Sequence, residues 1–215
     1  MAIRVLVVDD HDLARHGLMA ILSGTPELEI VGEARTGREA IESARRLLPD
    51  VVLMDVRMPD MHGLEATRRI KEERPRTAVI IVTNHDDPAY LRTAVDAGAA
   101  GYLLKDVSRQ QLVSAVLEVA SGGSFIERQT LRTVLSEMPA VGPAPEAARD
   151  LTRREREILA HVAEGLSNRE IAGRLVLSPE TVKSHVAAVL HKLDLSDRTQ
   201  AAVYAVRHGL TQQPL

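Results

Sequence analysis

Five short apolar runs, each followed by a stretch with helical spacing, constrain the fold of this chain more than any other feature of its sequence. The third run, Val51 to Met54, places four apolar residues in succession between the breakers Pro49 and Asp50 and the pair Met58 and Pro59. A strand buried on both faces of a parallel sheet reads this way. Asp55 then stands at its carboxyl end. Open α/β sheets bind ligands beyond the carboxyl ends of their strands, which favours chemistry at Asp55. Aspartate is also a common cap and turn residue, and this run alone does not separate the two readings.

The other runs are Ile3 to Val8, Leu28 to Ala34, Ala78 to Val82 and Gly101 to Leu104. Between them, Ala14, Leu18, Ile21 and Leu22 share a helical face that Gly24 and Pro26 end, and Gly37 to Leu48 predicts a helix burying Ala40, Ala44, Leu47 and Leu48. Further helices are expected over Gly63 to Glu73, from Pro88 to a C-terminal Gly98, and through Leu112, Ala115, Val116 and Val119. Each parallel crossover must be covered by a helix, so five alternations within residues 1–123 predict an α/β fold, a doubly wound five-stranded parallel sheet. That topology brings Asp9, Asp10, Asp55, Thr83 and Lys105 to one carboxyl edge. Three carboxylates in one pocket repel unless a cation sits among them, and a hard, oxygen-preferring ion such as Mg²⁺ suits them. Such an ion, with a lysine and a hydroxyl, suits a phosphoryl group.

Beyond Gly123 the pattern changes. A helix is expected from Phe125 to Glu137, and Pro139 to Pro145 holds three prolines and a glycine, the composition of an extended linker. The organisation read from the sequence is therefore a domain over 1–123, a linker over 124–150 and a domain over 151–215. The last part is small, all-α and four-helical. Thr152 with Glu155 and Ser167 with Glu170 form capping boxes, Ser178 precedes Pro179 at a first helical position, and Asp197 caps a fourth helix. Two short capped helices linked by Val176 and Leu177 make a helix-turn-helix pattern. The outward face of the third helix carries Thr181, Lys183, Ser184, Ala187 and His191, small, polar or cationic as a major-groove helix requires, although a solvated face looks similar.

Composition sets outer bounds. Residues 151–215 hold nine Lys/Arg against seven Asp/Glu, a charge of +2, which leaves -5 of the total -3 for residues 1–150. That tilt permits nucleic-acid binding without arguing for it. One Phe, three Tyr and no Trp disfavour stacking platforms for single strands. Without cysteine there is no thiol nucleophile or disulfide, which fits a reducing cytoplasm, and neither a signal peptide nor a membrane span is expected. His161, His185, His191 and His208 lack zinc-ligand spacing.

The residues also carry two resemblances. Asp9 and Asp10, Asp55 with Met58 to Gly63, Thr83, and Gly98 to Lys105 resemble, in order and across residues 1–123, the flavodoxin-like receiver domain of bacterial two-component response regulators. The likeness implies that Asp55 accepts a phosphoryl group from a cognate histidine kinase. It further implies that Asp10, Asp55 and the backbone carbonyl of Arg57 ligate Mg²⁺ while Asp9 acts through water, that Lys105 and Thr83 contact the phosphoryl group, and that Tyr102 turns inward. Asn84 stands where many receivers have a small residue, and Asp106 follows the lysine where many have a cis proline; a cis bond without proline costs ~3 kcal/mol or more, so the cis geometry is not assumed and the isomer of the Lys105 to Asp106 bond stays open. Leu151 to Glu155, Gly165 to Ala172 and Ser178 to His185 resemble the LuxR-type DNA-binding domain, and the whole chain resembles the NarL/FixJ class. This implies groove-facing Lys183, Ser184 and Ala187, with Asn168 and Thr181 near phosphates, on double-stranded promoter DNA bound by a homodimer. The expected function is a phosphorylation-controlled transcription regulator rather than an enzyme. The alternatives are a regulator that binds DNA without phosphorylation, and a Mg²⁺-dependent aspartyl-phosphate phosphatase, which Arg57 disfavours by occupying the position of such an enzyme's second aspartate.

Overall fold

The computed structural model describes residues 2–84, 88–137, 142 and 146–211. Most of the expected linker from Pro139 to Pro145 lies outside the described residues. The chain divides into two compact units, Met1–Ile126 and Glu127–Leu215.

The first unit alternates β1 (Ile3–Val8), α1 (Asp12–Ser23), β2 (Leu28–Ala34), α2 (Gly37–Leu47), β3 (Val51–Asp55), α3 (Gly63–Glu73), β4 (Ala78–Thr83), α4 (Pro88–Asp96), β5 (Gly101–Leu104) and α5 (Arg109–Ala120). All strand pairs are parallel, in the order β2-β1-β3-β4-β5. The central strands are apolar from Val5 to Val8, Val51 to Met54 and Ala78 to Val82 because both faces are covered. On one face Val5, Val7, Leu53, Ile80 and Val82 pack with Leu18 and Leu22 of α1 and Leu112, Ala115, Val116 and Val119 of α5. On the other, Leu6, Val8, Val52, Met54 and Ile81 pack with Ala40, Ile41 and Ala44 of α2, Leu64 and Ile70 of α3 and Ala94 of α4. This is the doubly wound sheet that the apolar runs predict.

Three local differences have physical causes. Leu48, expected inside, is exposed, because α2 ends at Leu47 and Leu48 turns left-handed (φ 49°) before Pro49. Phe125 is not helical: its N–H donates to the Ala100 carbonyl at 3.0 Å and its carbonyl accepts from the Tyr102 N–H at 3.0 Å, which adds it to the sheet edge beside Gly101. The helix expected there, α6, begins at Arg128, runs to Ser136, and lies in the second unit against α10. The third difference is in α1, whose buried set is Arg15, Leu18 and Leu22, with an arginine where the spacing of Ala14, Leu18 and Ile21 predicts only apolar residues.

The second unit continues with a short 3-10 turn at Glu146–Asp150, then α7 (Arg153–Ala163), α8 (Asn168–Leu175), α9 (Pro179–Lys192) and α10 (Arg198–Arg207). Both capping boxes form, and the side chains of Ser178 and Asp197 accept from the Thr181 and Gln200 N–H groups. Each satisfies helix-terminal donors that would otherwise lack partners. Ile158, Leu159, Val162, Ile171, Val182, Val186, Val189, Ala202 and Val203 are buried. The turn between α8 and α9 hinges on Val176, which is left-handed at φ 54° and 91% exposed.

A β-branched residue strains against that conformation, whereas asparagine enters it readily. Because the exposed Val176 side chain has little packing to lose, Val176→Asn is expected to stabilise the second unit by about 1 kcal/mol, read as a higher urea midpoint for its unfolding.

Candidate functional site

The strand order reverses between β1 and β3, so the loops leaving these two strands diverge and open a crevice at their carboxyl ends. The structure brings Asp9, Asp55 and Lys105 together here, with Thr83 joined to Lys105 through the backbone, whereas Tyr102 lies within β5 against the second hydrophobic cluster. Asp9, Asp55 and Thr83 are buried, Asp10, Tyr102 and Lys105 are half-buried, and Arg57 is exposed. Lys105 Nζ lies 2.6 Å from Asp9 Oδ2 and 2.8 Å from Asp55 Oδ1. The other Asp55 oxygen, Oδ2, accepts the Arg57 N–H at 2.9 Å. Lys105 and Thr83 are also joined through the backbone, the Lys105 N–H donating to the Thr83 carbonyl at 2.8 Å. The described residues contain no cis peptide bond, so Lys105 to Asp106 is trans.

Burial, more than any neighbour, pushes the Asp55 carboxyl above the usual carboxylate range, and the Asp9 charge adds to it against the opposing pull of Lys105. Burial by itself would lower Lys105, but hydrogen bonds to Asp55 and Asp9 outweigh it and hold the ammonium above its ordinary value. Asp9 Oδ2 is buried and, among the described residues, lacks a well-aligned hydrogen bond, although the Lys105 ammonium lies 2.6 Å from it. An underserved, acceptor-only oxygen among carboxylates fits a hard divalent cation.

Four supports of this pocket escape periodicity. His11 follows the acid pair, and its N–H donates to Asp9 Oδ1 at 2.9 Å while its Nδ1 lies 2.7 Å from Asp10 Oδ1. Ligand atoms of Asp9, Asp10 and His11 all lie within 4.8 Å of one another, an arrangement compatible with a metal. Asp60 holds the loop after β3 from the far side, accepting the Gly37 and Arg38 N–H groups at 3.1 and 3.3 Å at the start of α2. Gly63 lets that loop close, since a Cβ there would lie 1.8 Å from the Asp55 carbonyl oxygen. Arg15 reaches the Asp9 carbonyl from beneath the pocket at 2.9 Å. Of the four, Asp60 and Gly63 fall within the Met58 to Gly63 stretch that the sequence singles out, whereas His11 and Arg15 have no such signal.

In the second unit Thr181, Lys183, Ser184 and Ala187 are exposed along α9, and Asn168 is half-buried at the start of α8. Thr181 and Ser184 are locally engaged, Thr181 Oγ1 lying 2.8 Å from Ser178 Oγ and Ser184 Oγ donating to the Glu180 carbonyl at 3.1 Å. Asn168 Oδ1 accepts from Arg198 Nη1 at 2.7 Å, which leaves its amide N–H groups to face other partners. Arg198, on α10, has no signal in the helix-turn-helix pattern.

A buried acidic crevice on a 2-1-3-4-5 parallel sheet, followed by a capped helix-turn-helix unit, defines a two-part regulator. Residues 5–117 match the family model described as the response regulator receiver domain, and residues 149–205 match that of the bacterial regulatory proteins, luxR family. The chain belongs to the response regulators that join a receiver to a LuxR-type domain. It is 41% identical over 217 residues to the transcriptional regulatory protein LnrK of Bacillus subtilis, covering 97% of this chain and 99% of that one. It is likewise 41% identical over 212 residues to the response regulator protein VraR of Staphylococcus aureus, covering 99% and 100% of the two chains. Among solved structures, the signal receiver domain of the putative response regulator NarL from Mycobacterium tuberculosis aligns with a TM-score of 0.55 at 42% identity, covering 56% of this chain and 98% of that one. Among the described residues no helix is long and apolar enough to cross a membrane.

Because the folded-state pKa of Asp55 lies above its unfolded value, its contribution to stability is present below the unfolded pKa and is lost as pH rises through the folded one. Asp55→Asn removes that loss. In chelator, the melting temperature of the variant relative to the parent is expected to climb as pH rises above the ordinary aspartate pKa of roughly 4 and then to level off; a flat difference would contradict the assignment.

Proposed function

We propose that this chain is a cytoplasmic transcription regulator switched by phosphorylation of Asp55. The observation that carries the reading is the buried Asp9–Lys105–Asp55 cluster, with contacts of 2.6 and 2.8 Å at the carboxyl edge of the sheet, in a chain that also carries a LuxR-type unit. In the proposed transfer an Asp55 carboxylate oxygen attacks the phosphorus of a phosphohistidine on the kinase. The new P–O bond forms as the P–N bond breaks, and the imidazole leaves with the electron pair and takes up a proton. Lys105 then faces phosphoryl oxygens in place of one carboxylate oxygen, and the Thr83 hydroxyl is the proposed further donor. Tyr102, on the neighbouring strand β5 and paired with Ile81 of β4, is the proposed follower of Thr83.

Asp10, Asp55 and the Arg57 carbonyl would hold Mg²⁺, with Asp9 acting through water; when bound, the ion supplies neutralisation of the phosphoryl charge. Asn84, exposed just beyond Thr83, is placed to influence water access to the acyl phosphate and hence its lifetime. The added charge at Asp55 must favour one state of the chain through contacts that differ between states. The readout is binding of double-stranded promoter DNA by two copies of α9, with Lys183, Ser184 and Ala187 towards the base edges and Asn168 and Thr181 towards phosphates.

Treating the chain with Mg²⁺ and a small acyl phosphate should add the mass of one phosphoryl group to the parent and none to Asp55→Asn. Equal labelling of both would overturn the assignment of Asp55, and labelling of neither would leave the DNA-binding unit as a phosphorylation-independent regulator. For DNA, Lys183→Ala is expected to cost about 1–3 kcal/mol of specific affinity, measured by fluorescence anisotropy on a bound genomic fragment at fixed salt.

A further inference from the structure

Among the described residues Arg15 is the largest fully buried side chain, and it sits in α1 among residues that face the sheet. A buried charge is tolerated only when paired and hydrogen-bonded, so its partners define its role. Nη1 donates to the Asp9 carbonyl at 2.9 Å, Nε to Glu33 Oε2 at 2.6 Å and Nη2 to Asp12 Oδ1 at 2.5 Å. These acceptors come from three elements: the residue after β1, the penultimate residue of β2 and the first turn of α1. The carboxylates of Glu33 and Asp12 are 45% and 61% exposed, so the acids meet the guanidinium from the solvent side. Both are held below the usual carboxylate range, chiefly by the hydrogen bond from Arg15.

The Asp9 side chain is fixed at its other end, with Oδ1 on the His11 N–H and Oδ2 beside Lys105. Main chain and side chain of Asp9 are thus both held, and with them the direction in which the turn presents Asp10. We propose that Arg15 is a positioning residue for the phosphorylation site. It locks the Asp9–Asp10–His11 turn onto β2 and α1, so that the acid pair is arranged for a divalent cation before the cation arrives. Only a planar fork spans three acceptors on three elements; a lysine ammonium at the same place keeps the charge and loses the geometry. This inference rests on reading the pocket as a cation-binding site. It extends that reading to a residue that touches neither cation nor phosphoryl group.

The test measures Mn²⁺ affinity of the full chain by the loss of the free-ion electron paramagnetic resonance signal, well below the melting temperature of each variant. Mn²⁺ shares the oxygen preference of Mg²⁺. Arg15→Lys and Arg15→Met are expected to weaken Mn²⁺ binding by roughly tenfold, as loss of an outer-shell support does at other metal sites. Should the Arg15 variants not fold, Glu33→Ala, at a half-exposed position, releases Nε and is read in the same way. Asp10→Asn runs alongside. If it weakens Mn²⁺ binding while the folded Arg15 or Glu33 variants stay within about twofold of the parent, Arg15 is only a structural staple and the inference is overturned. If Asp10→Asn also leaves affinity unchanged, the cation-site reading itself fails.

Discussion

Everything in the first unit depends on keeping two buried carboxylates, Asp9 and Asp55, side by side. Like charges in a low-dielectric crevice repel strongly, and desolvation penalises each one separately. The single Lys105 ammonium, shared between them, offsets this only in part, and Asp55 stays harder to ionise than an ordinary aspartate. The pocket therefore favours added positive charge, which is how a cation-assisted phosphoryl acceptor is proposed to arise from it. A phosphoryl group on Asp55 would then call on the same lysine and on Thr83, whose carbonyl is already bonded to the Lys105 N–H. The sheet supplies the rigidity, and the loops at the crevice are pinned by Arg15 on one side and Asp60 on the other.

What could be read from the sequence follows from how far each interaction reaches along the chain. The runs Val5 to Val8, Val51 to Met54 and Ala78 to Val82 announce strands buried on two faces because their residues are all apolar. The strand-end positions of Asp9, Asp10, Asp55 and Thr83 follow from those runs, and that of Lys105 from Gly101 to Leu104. Interactions between distant positions leave no such trace: Arg15 meets Glu33 across 18 positions, Asp60 meets Gly37 across 23, and Arg198 meets Asn168 across 30. Arg15 is the instructive case. A cation on the inward register of an amphipathic helix looks like an edge residue until the fold delivers three acceptors to it. Phe125 erred in the opposite direction, its apolar character suiting a helix while the open edge of β5 offered it two backbone hydrogen bonds.

The second unit was easier to read because its information is local. Capping residues and their partners lie three positions apart, so Thr152 with Glu155 and Ser167 with Glu170 mark helix starts without knowledge of the fold. The exposed face of α9 follows from the buried one, Val182, Val186 and Val189 fixing where Lys183, Ser184 and Ala187 must point. Which bases such a face reads is a property of the DNA partner as much as of the helix, and Ala187 contributes at most an apolar contact.

The central claim is that charge placed on Asp55 changes how the LuxR-type unit binds DNA. It is tested most directly by measuring binding of the full chain to the same promoter fragment, at one salt concentration, before and after phosphorylation, with Asp55→Asn treated identically. The account predicts a shifted isotherm for the phosphorylated parent and superimposable isotherms for the variant. Superimposable isotherms for a parent shown by mass to be phosphorylated would contradict it.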